Sequence, residues 1–254
     1  MKKILLTIIL FSLMILQSCT TKKQMLYLQD LDKFSNTALN YTTTKIQPND
    51  ILKINISDLN PLVAAPFNMG APNEFAGVDM LKLSGYLVSP NGNITMPIMN
   101  EVRVGGLSPF DAEKRIKDLL ISEGYLVNPT VLVRVINNKY TILGEVNSPG
   151  VFPFSEESIS LLDALGFAGD LTYSAIRNDI KLIRELDGKR IVYHIDLTTT
   201  SWMSNPDYRI RQNDVIVVTP NKLKVNSGGL IKDPIQLLGI TASIISLVLL
   251  FQLQ

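Results

Sequence analysis

Cysteine and histidine are nearly absent from this sequence: each occurs once among 254 residues. One cysteine excludes an internal disulfide framework, and one cysteine with one histidine excludes a cysteine–histidine metal cluster. Charge of one sign is not in excess either, because 24 basic residues face 23 acidic ones and the formal net charge is +1. Nucleic-acid-binding domains usually carry a clear basic excess, so no nucleic acid is expected as a partner.

Motifs of nucleotide-binding and catalytic sites are missing as well. Neither G-x-x-x-x-G-K-[ST] nor G-x-G-x-x-G after a strand occurs, so no cofactor and no metal are predicted. His194 has no G-x-S-x-G elbow beside it, which favours a structural role for this histidine. Glu156 and Glu157 are adjacent in a loop-like segment, whereas catalytic carboxylates of glycoside hydrolases flank a sugar bond. We therefore expect no catalytic residue and no enzymatic activity.

Five other side chains could contact a glycan but have simpler explanations. Trp202 could stack on a sugar, although packing or anchoring of an exposed loop explains it better. Four basic residues could guide an anionic glycan, but isolated cations are usually solvated surface: Arg209, Arg211, Lys222 and Lys224.

The apolar residues of the chain are concentrated at its two ends. At the N-terminus, Lys2 and Lys3 precede an apolar run over 4–16, which is too short to span a bilayer and is typical of a secretory signal. Residues 16–19, Leu-Gln-Ser-Cys, resemble the lipobox of bacterial lipoproteins. The resemblance implies cleavage after residue 18 and attachment of lipid, including palmitate, to Cys19. An ordinary secretory signal, in which Cys19 is incidental, is the alternative.

The C-terminal segment 235–254 contains no charged residue. As a helix it would be about 30 Å long, one hydrocarbon thickness, so a transmembrane helix is predicted there. Four small or polar residues share one face of such a helix: Gln236, Gly239, Ser243 and Ser246. This seam favours helix association or a pore lining over a plain anchor.

Between the ends, the pattern predicts an α+β fold of two small mixed domains. In the first, strands are predicted at 51–56 and 131–136, and 85–88 is predicted to form a hairpin with 93–96. Ser108, Pro109 and Gly124 mark the start and the end of a helix. Residues 58–82, which include three prolines, are predicted to form a long loop or insertion.

The second domain is predicted to contain a short helix capped by Ser158 and several strands. The strands are expected at 140–146, 151–154, 179–184, 189–196 and 215–218. Asp187 and Gly188 between two of them are a strong hairpin signal.

The order of these motifs resembles a known pair of domains. The first block is similar to the polysaccharide biosynthesis/export domain in Pro-Asn-Asp at 48–50, the segment 88–97, Gly-Gly-Leu-Ser at 105–108 and Asn-Pro-Thr at 128–130. The second block is similar to a β-grasp-like soluble-ligand-binding (SLBB) domain in Gly-Glu-Val at 144–146, Pro-Gly at 149–150, Asp-Ala-Leu at 163–165, Ala-Gly at 168–169 and 212–216.

The resemblance implies an outer-membrane lipoprotein with its main body in the periplasm. Its homo-oligomeric ring would export capsular or exopolysaccharide, with C-terminal helices forming the passage. Implied partners are the polysaccharide in transit, membrane lipid, and an inner-membrane polysaccharide co-polymerase or tyrosine kinase. The alternative is a non-channel periplasmic adaptor that binds glycan or an export partner through the SLBB domain.

The expected organisation of the chain has six parts. They are a signal peptide (1–18), a lipidated tether (19–40), the export domain (41–137), the SLBB domain (138–220), a linker (221–234) and the transmembrane helix (235–254).

Overall fold

The structure is a computed structural model that describes residues 25–34, 43–69, 83–186 and 188–226, together with residues 239, 241 and 242. It shows two small mixed α/β domains that follow each other along the chain, each with its own cluster of buried apolar side chains. We refer to residues 43–137 as the first domain and to residues 138–226 as the second.

The first domain contains a three-stranded antiparallel sheet, a separate hairpin and one long helix. Its strands are β1 (Ile51–Ser57), β2 (Tyr86–Leu87), β3 (Asn93–Met96), β4 (Asn100–Arg103) and β5 (Thr130–Val135), and its helices are α1 (Pro61–Ala64) and α2 (Pro109–Ser122). Strand β1 lies between β2 and β5, and β3 pairs only with β4 among the described strands.

Helix α2 begins and ends where the sequence predicts. The side chain of Ser108 accepts a hydrogen bond from the backbone N–H of Asp111, and Gly124 adopts a φ of +74° just after the helix. A carboxylate in the first turn also suits the positive end of the helix dipole. Ala112, Ile116 and Leu120 are buried, so one face of the helix packs into the first core.

The predicted hairpin between 85–88 and 93–96 is wrong. Strand β2 pairs with β1, and backbone bonds between Val88 and Asn49 and between Val88 and Asp50 continue that pairing. Strand β3 instead folds back on β4 through residues 97–99. The turn at 89–92 is present, with Gly92 N–H donating to the carbonyl of Ser89, but it connects two different sheets.

Part of the predicted insertion 58–82 contributes to the first core. Helix α1 and the following 3-10 turn place Ala64 and Phe67 among buried residues. The Asn68 side chain accepts from the backbone N–H of Ile56 and donates to its carbonyl, both at 2.8 Å. Asn68 therefore occupies backbone hydrogen-bonding groups of β1 that would otherwise lie unpaired at this point.

The second domain is built on a five-stranded mixed sheet. Its strands are β6 (Lys139–Gly144), β7 (Gly150–Pro153), β8 (Ala175–Leu186), β9 (Lys189–Ile195) and β10 (Val215–Pro220), and its helices are α3 (Leu161–Phe167) and α4 (Lys222–Asn226). The strand order is β7-β6-β10-β8-β9. Only the β6–β10 pair within this sheet is parallel.

Two details of the second domain differ from or refine the expectations. Helix α3 is capped by Ser160 and not by Ser158, because Ser160 and Asp163 form a reciprocal capping box. The Ser158 hydroxyl instead accepts from Nε of Arg209 at 2.9 Å. Trp202 is 7% exposed and belongs to the second core, so it is a packing residue.

The prediction of a C-terminal transmembrane helix is corrected by the structure. In the part of the chain that the structure describes, no helix combines the length and the apolar character needed to cross a membrane. Of the segment 235–254, only Gly239, Thr241 and Ala242 are described, and the remaining positions lie outside the described residues. Absence of charge over 20 positions satisfies a composition rule, but it does not by itself establish one continuous helix.

Gly144 tests the close approach of β6 and β10. Its φ is +95°, and a Cβ at this position would overlap the carbonyl oxygen of Val218. We expect Gly144→Ala to lower the free energy of unfolding by about 2–4 kcal/mol, because left-handed strain adds to steric overlap between paired strands. Chemical denaturation of the purified protein would measure the loss.

Gly124→Ala is the matched control for this substitution. Gly124 also has a positive φ, +74°, but nothing lies within 4 Å of an added Cβ. It should cost only about 1 kcal/mol, the strain alone. Equal losses for the two variants would show that the contact with Val218 is unimportant.

Candidate functional site

A small set of amide side chains joins the two domains. The Gln212 carbonyl oxygen accepts from the backbone N–H of Lys139 at 2.7 Å, and its amide donates to the carbonyl of Asn137 at 3.1 Å. The Asn137 side chain accepts from the N–H of Ile51 and donates to the carbonyl of Asn49, both at 2.9 Å. The start of β6, the start of β10 and the start of β1 therefore meet at this junction.

A buried ion pair lies next to the junction and holds the segment that carries Gln212. Arg184 and Asp214 form two hydrogen bonds, Nε–Oδ1 at 2.9 Å and Nη2–Oδ2 at 2.6 Å. Their side chains are 4% and 0% exposed. Arg184 also donates to the carbonyls of Asp207 and Arg209, and Asp214 accepts from the N–H of Arg211. The pair is therefore fully hydrogen-bonded, as a buried pair must be.

Burial acts on the carboxyl groups near the junction. It raises the pKa of Asp214 above the ordinary value, and the Arg184 guanidinium opposes this shift. It also raises the pKa of Asp50, against a hydrogen bond from the backbone N–H of Gln47. Both groups have structural partners and neither faces a second free carboxylate, so the junction lacks the paired acids of a hydrolase.

A polar cleft of about 250 Å³ lies beside the junction. Lys45 and Arg211 line it, but so do Glu185 and Asp207. Arg211 is paired with Asp207 at 3.3 Å. Arg184 also lines the cleft, but it is paired with Asp214. The remaining charges of the two signs are equal in number, so the cleft carries no excess of one sign that would select an anionic ligand.

Removing one partner of the buried pair should destabilise the second domain strongly. We expect Asp214→Ala to lower the free energy of unfolding by about 3–5 kcal/mol, because it leaves the Arg184 charge buried and unpaired. Glu185→Ala is the control, since Glu185 and its partner Arg190 are 67% and 69% exposed. That variant should change stability by less than about 1 kcal/mol. Similar losses for both would contradict the role given to the buried pair.

One face of the five-stranded sheet is aliphatic although no described element covers it. Strand registry aligns Val151, Thr141, Val215, Ile183 and Val192 in one row across the five strands. In the next row Lys181 and His194 continue from Leu143 and Val217, so the aliphatic patch comprises the first row together with Leu143 and Val217. We call these seven residues the outer face. Leu143, Val151 and Val192 are 48%, 60% and 48% exposed.

The sheet of the first domain shows the ordinary pattern for comparison. On its solvent side Asn55 lies opposite Leu132, Lys53 opposite Arg134 and Ser57 opposite Thr130, and only the pair Ile51–Leu87 among the described pairs of this face is wholly apolar, with Leu87 60% exposed. A sheet with one solvated face normally alternates between apolar and polar residues in this way. Exposed apolar patches of the kind seen on the second sheet mark interaction surfaces. The outer face is therefore the candidate functional site.

Sequence reasoning missed the outer face, although a signal for it is present. Residues 215–218 are Val-Ile-Val-Val, a continuous apolar run. Such a run is typical of a strand that is covered on both sides. In this structure Ile216 and Val218 are fully buried, whereas Val215 and Val217 point to the uncovered side.

The residues singled out from the sequence are not brought together. Cys19, Gln236, Ser243 and Ser246 lie outside the described residues, and Gly239 is helical. His194 lies on edge strand β9, with Nδ1 2.6 Å from Asp179. Glu156 and Glu157 are exposed in a loop. Within the described ranges, no three His, Cys, Asp or Glu side chains are grouped to hold a metal ion.

An N-terminal segment, residues 25–34, lies against the second domain, and we call it the strap. The backbone N–H groups of Leu28 and Gln29 donate to the carbonyls of Leu197 and Thr198 at 3.0 and 2.8 Å. Asp30 accepts from the N–H of Thr200 at 2.8 Å. The sequence predicted only a polar tether over 19–40, because these contacts join residues about 170 positions apart.

Tyr27 secures the first turn of the strap. Its hydroxyl donates to Asp170 at 2.6 Å, and the Arg177 guanidinium lies 5.4 Å from its ring centre. Burial and the Asp170 carboxylate raise the pKa of Tyr27, so the phenol stays protonated and keeps donating. The strap is thus fixed to the second domain by side chains and backbone together.

The described residues thus form two small α/β domains linked by an amide junction, the second with an exposed patch of aliphatic side chains on its sheet. Comparison with known families is specific: residues 39–136 match the polysaccharide biosynthesis/export protein model, and residues 138–218 match the SLBB domain. This chain belongs to the polysaccharide biosynthesis/export protein family. The family resemblance seen in the sequence is confirmed.

Two relatives carry the same printed description, EPS I polysaccharide export outer membrane protein EpsA. The one from Ralstonia solanacearum is 25% identical over 190 residues, which cover 71% of this chain and 49% of that protein. The one from Ralstonia nicotianae is 26% identical over 187 residues, covering 70% of this chain and 47% of that protein. This chain therefore spans about half the length of the relatives it matches.

Proposed function

We propose that this protein acts without catalysis in the export of a polysaccharide across the outer membrane, as a self-assembled conduit. The outer face is the observation that carries the assembly, and the family match supports the export role. Capsular and extracellular polysaccharides are the substrate class that the proposal names. An inner-membrane co-polymerase or tyrosine kinase would be the partner that supplies the polymer.

The chemistry of the outer face favours a protein surface over a glycan. None of its seven side chains is aromatic, and six are purely aliphatic. A sugar placed against them would lose hydrogen bonds from its hydroxyls to water without replacement. An apolar protein surface loses nothing of this kind, and burying a half-exposed valine or leucine contributes on the order of 1 kcal/mol.

The surroundings of the outer face favour a second copy of this chain. Glu185 and Arg190 lie at one end of the sheet, and Asp179 and Lys181 lie toward the other. These charges balance, so the rim does not select a strongly acidic or basic partner. Strands about 4.8 Å apart give the face a width of about 19 Å, which suits packing against another protein.

A carboxylate on the outer face should break the assembly. We expect Val192→Glu, and separately Val151→Glu, to weaken self-association by about tenfold or more, because a buried unpaired carboxylate is costly. Export should fall with it. Light scattering of the detergent-extracted protein gives the mass, and cell-surface polysaccharide of the complemented deletion strain reports export.

Leu132→Glu is the matched control, since Leu132 is 49% exposed on edge strand β5 of the polar sheet. It should keep both mass and export. An unchanged mass in both outer-face variants would contradict assembly through this surface. A monomeric parent protein would contradict the conduit and leave the adaptor as the function.

A lipid anchor at Cys19 is part of the proposal and rests on the lipobox resemblance. Cys19→Ser should leave the precursor uncleaved or misplaced, because acylation requires the thiol. Mass spectrometry of the N-terminal peptide from the parent protein should show a mature start at Cys19 with acyl chains. A mature start elsewhere, without acyl chains, would disprove the anchor while leaving the assembly test unaffected.

A further inference from the structure

One end of the second domain gathers the strap and the segment by which the chain leaves the domain. Strands β6 and β10 are parallel, and both run from the junction to this end over about 20 Å. There Glu145 N–H donates to the carbonyl of Val218, Thr172 N–H to that of Glu145, and Asn221 N–H to that of Ser174. Tyr27 of the strap reaches the same loops through Asp170. We call this end, formed by 145–149, 167–174, 221–225 and 25–28, the strap pole.

The strap pole exposes large apolar side chains that nothing described covers. Tyr173 is 84% exposed, Phe167 and Val225 are each 62% exposed, and Leu26 is 47% exposed. They come from three different segments that hydrogen bonds bring to this end, so their placement is a property of the fold and not of one apolar sequence. Exposed aromatic and aliphatic residues side by side mark an interaction surface.

The charges of the strap pole are arranged with the basic groups outermost. Lys222 is exposed, and the Lys224 side chain is 56% exposed while its partner Glu145, 3.9 Å away, is only 15% exposed. Asp170 accepts from Tyr27 and from the N–H of Leu171. Glu145 is therefore the more covered member of its pair, and Asp170, although exposed, accepts two hydrogen bonds, whereas both lysines are exposed on α4. This combination is typical of surfaces that bind the headgroup region of a bilayer.

The short chain between Cys19 and the strap favours a lipid bilayer as the partner of the strap pole. Five residues lie between Cys19 and Met25, the first described residue, so six Cα-to-Cα steps place an anchored Cys19 within about 21 Å of the strap. Strands β6 and β1 both lead away from the junction, β6 toward the strap pole and β1 toward Ser57, and their lengths sum to about 40 Å, the largest separation of these two ends along the strands. A lipid attached at Cys19 can therefore bring the strap pole onto the bilayer while the first domain remains away from it.

We propose that the strap pole is a membrane-seating surface, in which Phe167, Tyr173, Leu26 and Val225 enter the headgroup region and Lys222 contacts lipid phosphate. The inference rests on the lipid anchor proposed at Cys19. It adds the specific face of the second domain that contacts lipid. Tyr173, the most exposed of the four, has an amphipathic ring of the kind that prefers the membrane–water interface.

Depth-sensitive fluorescence on the full-length lipidated protein tests this surface. Tyr173→Cys and, independently, Phe167→Cys are labelled with an environment-sensitive dye and placed in phosphatidylethanolamine–phosphatidylglycerol vesicles that contain nitroxide-labelled lipid. We expect each label to shift to the blue and to lose roughly half or more of its emission, since interfacial residues lie about 5–10 Å into the headgroup boundary. Two separate positions keep the test valid if one variant folds poorly.

Leu59→Cys is the matched control, because Leu59 is 93% exposed and lies just beyond the far end of β1. Its label should keep its emission. Equal quenching at all three positions, quenching at Leu59 alone, or quenching at none would each overturn the proposal. Dye found on Cys19 itself would show that the anchor is missing, which distinguishes failure of the lipid anchor from failure of the surface.

Discussion

The parallel pairing of β6 with β10 is the constraint on which the rest of the second domain depends. Parallel strands begin at the same edge of a sheet, so Lys139 and Gln212 meet at one end and Glu145 and Asn221 meet at the other. The first end becomes the junction with the first domain. The second collects the strap and the chain exit. One strand pair therefore gives the domain two chemically different ends.

The buried ion pair is the means by which this pairing is joined to the rest of the sheet. Arg184 lies on β8 and Asp214 immediately precedes β10. The guanidinium also donates to two backbone carbonyls, those of Asp207 and Arg209. Such a pair adds little net stability over apolar packing, but loss of one member is severe. Its value here is geometric, since it holds the segment 207–214 that carries Gln212 to the junction.

Local signals in the sequence predicted most helices and strands correctly. The predictions failed where a strand pairs with a partner far away in the sequence. The cap at Ser108, the glycine after α2 and the hairpin beside Gly188 depend on neighbours within a few residues, and all three are confirmed. The partner of β2 is β1, more than thirty residues earlier, and no turn signal between 88 and 93 encodes that choice. The family resemblance was also predictable, because it rests on the order of short turn motifs.

The outer face and the strap pole could not be predicted from the sequence, for a related reason. Val217 and Val218 are alike in sequence, and only the sheet shows that one is buried and the other faces outward. Leu26, Phe167, Tyr173 and Val225 are scattered over some two hundred positions, and their segments lie at one end of the domain because β6 and β10 end together there. Residues 25–34 likewise have no periodic pattern that would predict their packing against the second domain.

The strap pole and the outer face point in different directions, and these directions are compatible with one assembly on a membrane. If the strap pole rests on a bilayer, β6 and β10 run along the membrane normal, and the outer face, which lies on the side of the same sheet, points within the membrane plane. Neighbouring copies anchored to one membrane meet in that plane, so an apolar side surface is placed where a lateral partner would be. A face at either end of the strands would meet lipid or the first domain instead. The fold therefore separates membrane contact from self-association by about a right angle, as a conduit built from copies standing side by side requires.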